Sequence, residues 1–363
     1  MAQRSDRSVD LQIRKPWLSP KQRAWLSRLP TILIGIVVVA AALWVLFFAT
    51  GTSAGAAIDE PGEFIVTLLD GLTLSGLLFV VASGFTLIFG LMRTVNMAHG
   101  AFFLLAAYLA IQLQQTMVGQ SRNISSDDVD MIAWLLPLIV ASTIVAILGL
   151  VMYELLLRWN QGEDLRQALI TLGVAVVIAD QMLARFGGLA QTMVWPGSVT
   201  HFFEIMGERY ATSRLFMLTI GIIVGASLWL WLNKTRMGMV IRAGVDDRDM
   251  VRALGISISV VFAITFFVGS FLAGVGGVMG ASFAGAAPGT DGQWLLNSLV
   301  VVIIGGMGSI KGAAAGALLF GTVSAFAPAY LPAQYTFYSI IFTFVLLAVV
   351  LAIRPHGLFG KPE

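Results

Sequence analysis

The chain has 363 residues, 58% of them hydrophobic and only 12% charged, with a net charge of +2 and a mean hydropathy of +0.87. Soluble domains carry about 25% charged residues, so an ordinary water-soluble enzyme is excluded. So are a disordered chain, which needs high charge and low hydrophobicity, and a collagen, because the 38 glycines follow no three-residue period. What remains is a polytopic membrane protein with apolar faces turned to lipid. The small net charge gives no reason to expect nucleic acid. With no cysteine there is no disulfide framework and no thiolate-held metal.

A bilayer core about 30 Å thick takes about 20 apolar residues per spanning helix. In chain order such runs fall at roughly 31–49, 64–90, 98–117, 133–157, 167–186, 214–233, 259–284, 294–308, 312–330 and 336–353. They predict an all-α, polytopic membrane helix bundle of about ten transmembrane segments, since a membrane barrel shows short alternating strands instead. Segment 31–49 follows a basic stretch too long for an ordinary secretory signal and is read as an uncleaved anchor. Cleavage after the small residues Ser53 to Ala57 would leave nine spans in the same orientation. Segment 64–90, about 40 Å long as a helix, predicts a tilt, kink or break, with Gly71, Ser75, Gly76, Ser83 and Gly84 as places for it. Segment 294–308 reaches only about 22 Å and ends in Gly305-Gly306-Met307-Gly308. It reads either as a half-crossing, tolerated where unwound backbone lines a cavity, or as a thin edge of the bundle. Small residues four apart (Gly221 and Gly225, Ser270 and Gly274, Gly276 and Gly280, Gly312 and Gly316) predict close helix contact, which in lipid replaces hydrophobic association.

Placing the tail before residue 31 in the cytoplasm fixes every later loop by alternation. Eighteen of the 22 Lys and Arg residues then face the cytoplasm, with Arg122, Arg185, Arg209 and Arg214 outside. The asymmetry predicts both termini inside.

No catalytic or metal-holding set is visible. The stretch nearest to a phosphate loop, Gly305 to Gly312, lacks a glycine before Lys311 and a hydroxyl after it, so this chain is expected to bind no cofactor, ATP included. Asp70, Glu154, Asp180 and Arg185 are ionisable groups inside predicted spans, where charge is costly. Asp180, the deepest, reads either as part of a polar pathway or as a carboxylate paired with Arg185 or another helix. Asn96, His99 and Gly100 lie where one span ends and the next begins, at a re-entrant turn or a plain helix cap. In the loop 234–258, Asp246 to Gly255 predicts a short helix, with an aspartate capping its start and Gly255 ending it. Met250, Val251 and Leu254 form its apolar stripe, while Arg248, Asp249 and Arg252 are charged. Such a helix outside the bilayer needs a partner surface. A protein groove suits it better than anionic lipid, which repels its aspartates.

Four ordered motifs resemble one family. They are Gly71-Leu-Thr-Leu-Ser-Gly76 through Gly84-Phe-Thr-Leu-Ile-Phe-Gly90 and Asn96-Met-Ala-His-Gly100; Arg242-Ala243 through Asp249 and Arg252-Ala-Leu-Gly-Ile256; Gly305-Gly-Met-Gly-Ser-Ile-Lys-Gly312; and Arg354-Pro-His-Gly-Leu-Phe-Gly360. The chain is similar over about 64–361 to the inner-membrane permeases of branched-chain amino acid ABC transporters (the H-type subunit). The resemblance implies a transport subunit rather than an enzyme, multi-pass in the bacterial cytoplasmic membrane and surrounded by lipid. It implies as partners a second homologous permease, two cytoplasmic ATP-binding subunits that carry the ATP, and an extracytoplasmic solute-binding protein. By the same resemblance, 1–30 is a basic cytoplasmic tail, 31–63 an added anchor with its outer loop, and 64–361 the permease domain. Its loop 234–258 would couple to the ATPase through Asp246, Asp249, Met250, Val251, Arg252, Ala253, Leu254 and Gly255. Candidate path residues are Asn96, His99, Gly100, Asp180, Gly305, Gly306 and Gly308. Two departures bear on the solute. Met97 stands where amino acid permeases often have Phe and urea relatives often have Met, and Ala101 stands where an acidic residue is common. A urea or short-chain amide permease of the same architecture is therefore the alternative. An ion-driven secondary transporter acting alone is a further one, but no line of buried acids supports it.

Overall fold

The computed structural model describes residues 61–119, 124–331 and 333–360. The predicted tail and segment 31–49 lie outside them. Eleven α-helices follow in chain order: α1 Pro61–Met92, α2 Ala98–Val118, α3 Met131–Met152, α4 Asp164–Phe186, α5 Thr212–Lys234, α6 Arg236–Asp246, α7 Arg248–Ala253, α8 Ile258–Phe283, α9 Thr290–Gly305, α10 Ile310–Tyr330 and α11 Ser339–Ile353. A π turn and a short 3-10 turn carry α3 on to Asn160. Eight helices are long and apolar enough to cross a membrane, and α9 is a shorter apolar helix. Each of the nine predicted spans after residue 60 therefore has its helix.

Helices α1 and α8 form the centre. Most of the length of each is buried; α8 lies against α1, α2 and α3, and α1 against α5, α9 and α10. Helix α4 rests mainly on α2, and α11 on α10 and α9. Their outer faces carry exposed Leu, Val, Ile and Phe, as helices bordering lipid must.

Small residues set the distances between axes. A Cβ on Gly84 of α1 would run into the Gly269 carbonyl of α8, and one on Gly269 would meet the Gly84 carbonyl at 2.9 Å. Gly274 of α8 abuts Ser142 of α3, and Gly316 of α10 abuts Val301 and Gly305 of α9. The predicted break in segment 64–90 does not occur. Helix α1 is continuous over 32 residues, about 48 Å. Its Gly and Ser positions admit neighbours instead: Gly71 faces Thr322 of α10, and Gly76 faces Gly221 of α5. The Ser75 and Ser83 hydroxyls donate back to the carbonyls of Gly71 (2.6 Å) and Val80 (2.8 Å), so burying them leaves no unpaired donor.

One element breaks the all-helical pattern. Antiparallel strands β1 (Phe202–Ile205) and β2 (Glu208–Ala211) form a hairpin. Met206 and Gly207 turn it, both at positive φ (51° and 91°), as a two-residue primed turn requires. Four-residue strands between spans leave no hydropathy signal. Beside this hairpin Asp70 of α1 pairs with Arg214 of α5, and the Arg214 guanidinium lies 5.9 Å from the centroid of the Tyr210 ring. Asp70 is thus a tie between two helices.

Gly274→Leu is expected to push α3 off α8 and cost about 1–3 kcal/mol, read as a lower melting temperature of the detergent-solubilised protein. The same change at Gly173, which faces open space, should leave melting unaltered.

Candidate functional site

The predicted short helix forms, with shifted bounds and a companion. Thr235 caps α6 through its hydroxyl, which accepts the Gly238 N–H at 3.1 Å. Asp247 then ends α6 and begins α7 in one extended residue (φ −152°, ψ 105°). Its Oδ1 accepts the N–H groups of Asp249 (2.9 Å) and Met250 (3.0 Å), which α7 cannot satisfy internally. At the other end Gly255 takes φ +78°. The Gly255 N–H donates to the Arg252 carbonyl (3.0 Å) and the Ile256 N–H to the Val251 carbonyl (3.4 Å). That double bond pattern is a Schellman closure, which favours glycine. Sequence reasoning missed α6 because 234–258 was read as loop around one helix. Its signal was Thr235 followed by the apolar positions Met237, Val240, Ile241 and Val245.

The predicted apolar stripe of α7 divides in two. Val251 is 1% exposed and packs inward, whereas Met250 (59%) and Leu254 (70%) project outward. Val251 anchors the helix, and the other two offer apolar surface left open among the described residues. Asp249 and Arg252 pair at 3.4 Å across one turn, an exposed contact that contributes little. Arg248 behaves differently. Its half-buried guanidinium lies over the Phe262 ring of α8 at 5.7 Å. Burial, and after it the neighbouring Arg93, holds its pKa below the usual arginine value, while Asp164 and Asp249 act the other way.

The α1–α2 junction lies close by. Arg93 takes φ +56°, and the Thr94 hydroxyl donates to Asp164 Oδ1 at 3.1 Å, at the first residue of α4. The Met97 N–H donates to Thr171 Oγ1 (3.1 Å), and Asn96 Oδ1 accepts the Ala98 N–H (3.1 Å). Asn96 therefore acts as a local cap. It also lines a small cavity of about 10 Å³ with Ile88, Met92, Gln167 and Thr171. One turn on, the fully buried His99 donates from Nε2 to the Val81 carbonyl at 3.0 Å, tying α2 to α1.

The glycine turn and the last motif form one unit. A Cβ on Gly305 would strike the Gly312 backbone and the reverse also holds, so α9 and α10 meet backbone to backbone. Gly306, at φ +103°, turns between them. The N–H groups of Leu358 and Phe359 donate to the carbonyls of Ile304 (2.9 Å) and Gly305 (2.8 Å), completing α9's orphan acceptors. Gly308 faces Gly90 of α1 and Val245 of α6. Three motifs far apart in sequence thus meet at the end of the molecule that carries α6 and α7.

The candidate path residues are not gathered around one opening. Asn96, His99, Gly100, Gly305 and Gly306 are buried in contacts between elements. Gly100 faces Asp291 and Leu295 of α9, and Gly308 faces Gly90. Asp180 is exposed on the outer face of α4. Among the described residues it has no ion pair, and the expected pairing with Arg185 does not form. Glu154 pairs with Arg158 at 2.7 Å.

The family model for the permease component of a branched-chain amino acid transport system matches residues 67–351. The chain is 26% identical over 310 residues to the high-affinity branched-chain amino acid transport system permease protein BraD of Pseudomonas aeruginosa, covering 84% of this chain and 99% of BraD. It is 25% identical over 308 residues to LivH of Escherichia coli K12, covering 83% and 96%. To the probable LivH of Methanocaldococcus jannaschii it is 23% identical over 316 residues, covering 84% and 94%.

Val251→Asp is expected to place an unpaired carboxylate in the core and lower the melting temperature sharply, since breaking burial this way costs several kcal/mol. Leu254→Asp, on open surface, should stay within about 0.5 kcal/mol of wild type. A scan of both variants in detergent separates anchor from outward face.

Proposed function

This chain belongs to the family of branched-chain amino acid transport system permease components, and from that we propose that it is the membrane permease subunit of an ATP-driven importer of branched-chain amino acids. The observation that carries the reading is α7. It is a helix capped at both ends, anchored by Val251, with Met250 and Leu254 turned out. A chain with no phosphate loop has to take its energy from elsewhere, and α7 presents the surface for it. A separate ATP-binding subunit receives the helix. ATP closes the ATPase pair, α6 and α7 move as a rigid arm, and the bundle switches access.

Charge supports the orientation. Lys234, Arg236, Arg242, Arg248 and Arg252 all lie on the stretch that holds α6 and α7, which puts that end in the cytoplasm. The membrane is the bacterial inner membrane, and an extracytoplasmic binding protein delivers the solute. A second homologous permease completes the pathway. The exposed Asp180, costly against lipid, fits a face turned to that partner. The named substrates of BraD and LivH support an amino acid over urea or a short amide.

Cells lacking this chain are expected to lose high-affinity uptake of labelled leucine, isoleucine and valine. Unchanged uptake, or loss of urea uptake instead, overturns the substrate assignment. Met250→Asp together with Leu254→Asp should leave the complex hydrolysing ATP without moving solute; intact coupling in vesicles refutes the role of α7.

A further inference from the structure

The outward residues of α7 explain how it meets a partner but not how its movement reaches the spans. Among its charged residues Arg248 turns inward. Asp249 and Arg252 are exposed and pair with each other. The Arg248 guanidinium covers the Phe262 ring in α8, and its buried Nη2 has no acceptor among the described residues. A guanidinium over an aromatic face is held by the ring quadrupole, most strongly where water is partly excluded.

Charges at the ends of two other elements act on it. Asp164, first residue of α4, accepts from Thr94 in the α1–α2 junction. Arg93, with its left-handed backbone, precedes Thr94. Both act on the Arg248 charge with opposite signs. From Thr94 the junction runs through the Asn96 cap and the Met97–Thr171 bond to His99, tied in the core to Val81. One side chain of α7 therefore lies on α8, with the charges of Asp164 and Arg93 acting on it.

We propose that Arg248 is the positioning residue through which movement of α7 reaches the spans: its guanidinium, held on Phe262, carries the displacement into the central helix α8. This rests on the reading of α7 as the ATPase contact. Met250 and Leu254 receive the stroke and Arg248 passes it inward. The role requires a cation on a long stem, and a guanidinium serves best because it keeps its charge when half-buried and lies flat on the ring.

The test uses the full complex in proteoliposomes, reading solute moved per ATP hydrolysed. Arg248→Met keeps the length and apolar stem but removes the charge. It should still copurify with the ATPase and hydrolyse ATP, with the transport ratio falling about tenfold or more. Arg248→Lys should recover a large part of that ratio. Phe262→Leu, which removes the ring but keeps an apolar side chain, should lower the ratio too and add little to Arg248→Met, as coupled neighbours do. An unchanged ratio in Arg248→Met, or strictly additive effects of the two changes, overturns the proposal. So does failure of Arg248→Met to copurify while Arg248→Lys is normal, because Arg248 then belongs to the docking surface. The Met250→Asp, Leu254→Asp variant is the control. If it too leaves the ratio intact, the α7 reading itself has failed.

Discussion

Helices α1 and α8 cross where Gly84 and Gly269 face each other, and everything else in the bundle is arranged around that crossing. Lipid tails are as apolar as leucine, so no hydrophobic force draws the two helices together. Their association rests on backbone approach, which a side chain at either glycine would forbid. Once α1 and α8 are fixed, α2, α3, α5 and α10 find their places against them, again at glycine and serine positions. The peripheral helices α4 and α11 keep broad apolar faces for whatever surrounds this chain. A bundle held this way is specified by shape more than by hydrophobicity, which is nearly uniform along it.

Much of the fold could be read from hydropathy because the bilayer imposes one length on every crossing. Each described helix that spans was placed to within a few residues. What hydropathy did not convey was direction around the helix axis. The glycines and serines of α1 looked like weak points along one strand of text. Only the neighbours show them to be docking points, with the helix continuous through Ser75 and Gly76. The hairpin at 202–211 was invisible for a related reason, since its pairing is set by a two-residue turn rather than by apolar periodicity.

At the functional end the legible part was chemical and the hidden part spatial. An aspartate cap and a closing glycine mark α7 in the sequence, and both act there, with Asp247 as the capping residue. That Val251 faces in while Met250 and Leu254 face out depends on where the helix begins, and one residue of shift rotates it by about 100°. The shortness of segment 294–308 and its closing glycines suggest a half-crossing whose unwound backbone lines a cavity. The structure shows that stretch as a joint in which α9, α10 and residues 354–360 share backbone hydrogen bonds. Asn96 caps the start of α2, and His99 fastens α2 to α1.

The bonds from Leu358 and Phe359 to the last carbonyls of α9 have a consequence for the order of biosynthesis. Those donors are translated roughly fifty residues after the acceptors they satisfy, and chains emerge at about 5–20 residues per second. For several seconds α9 stands with a raw carbonyl end, and the joint against Gly90 and Val245 is unfinished. A nascent chain cannot close the end of α9 until residues 354–360 have left the ribosome.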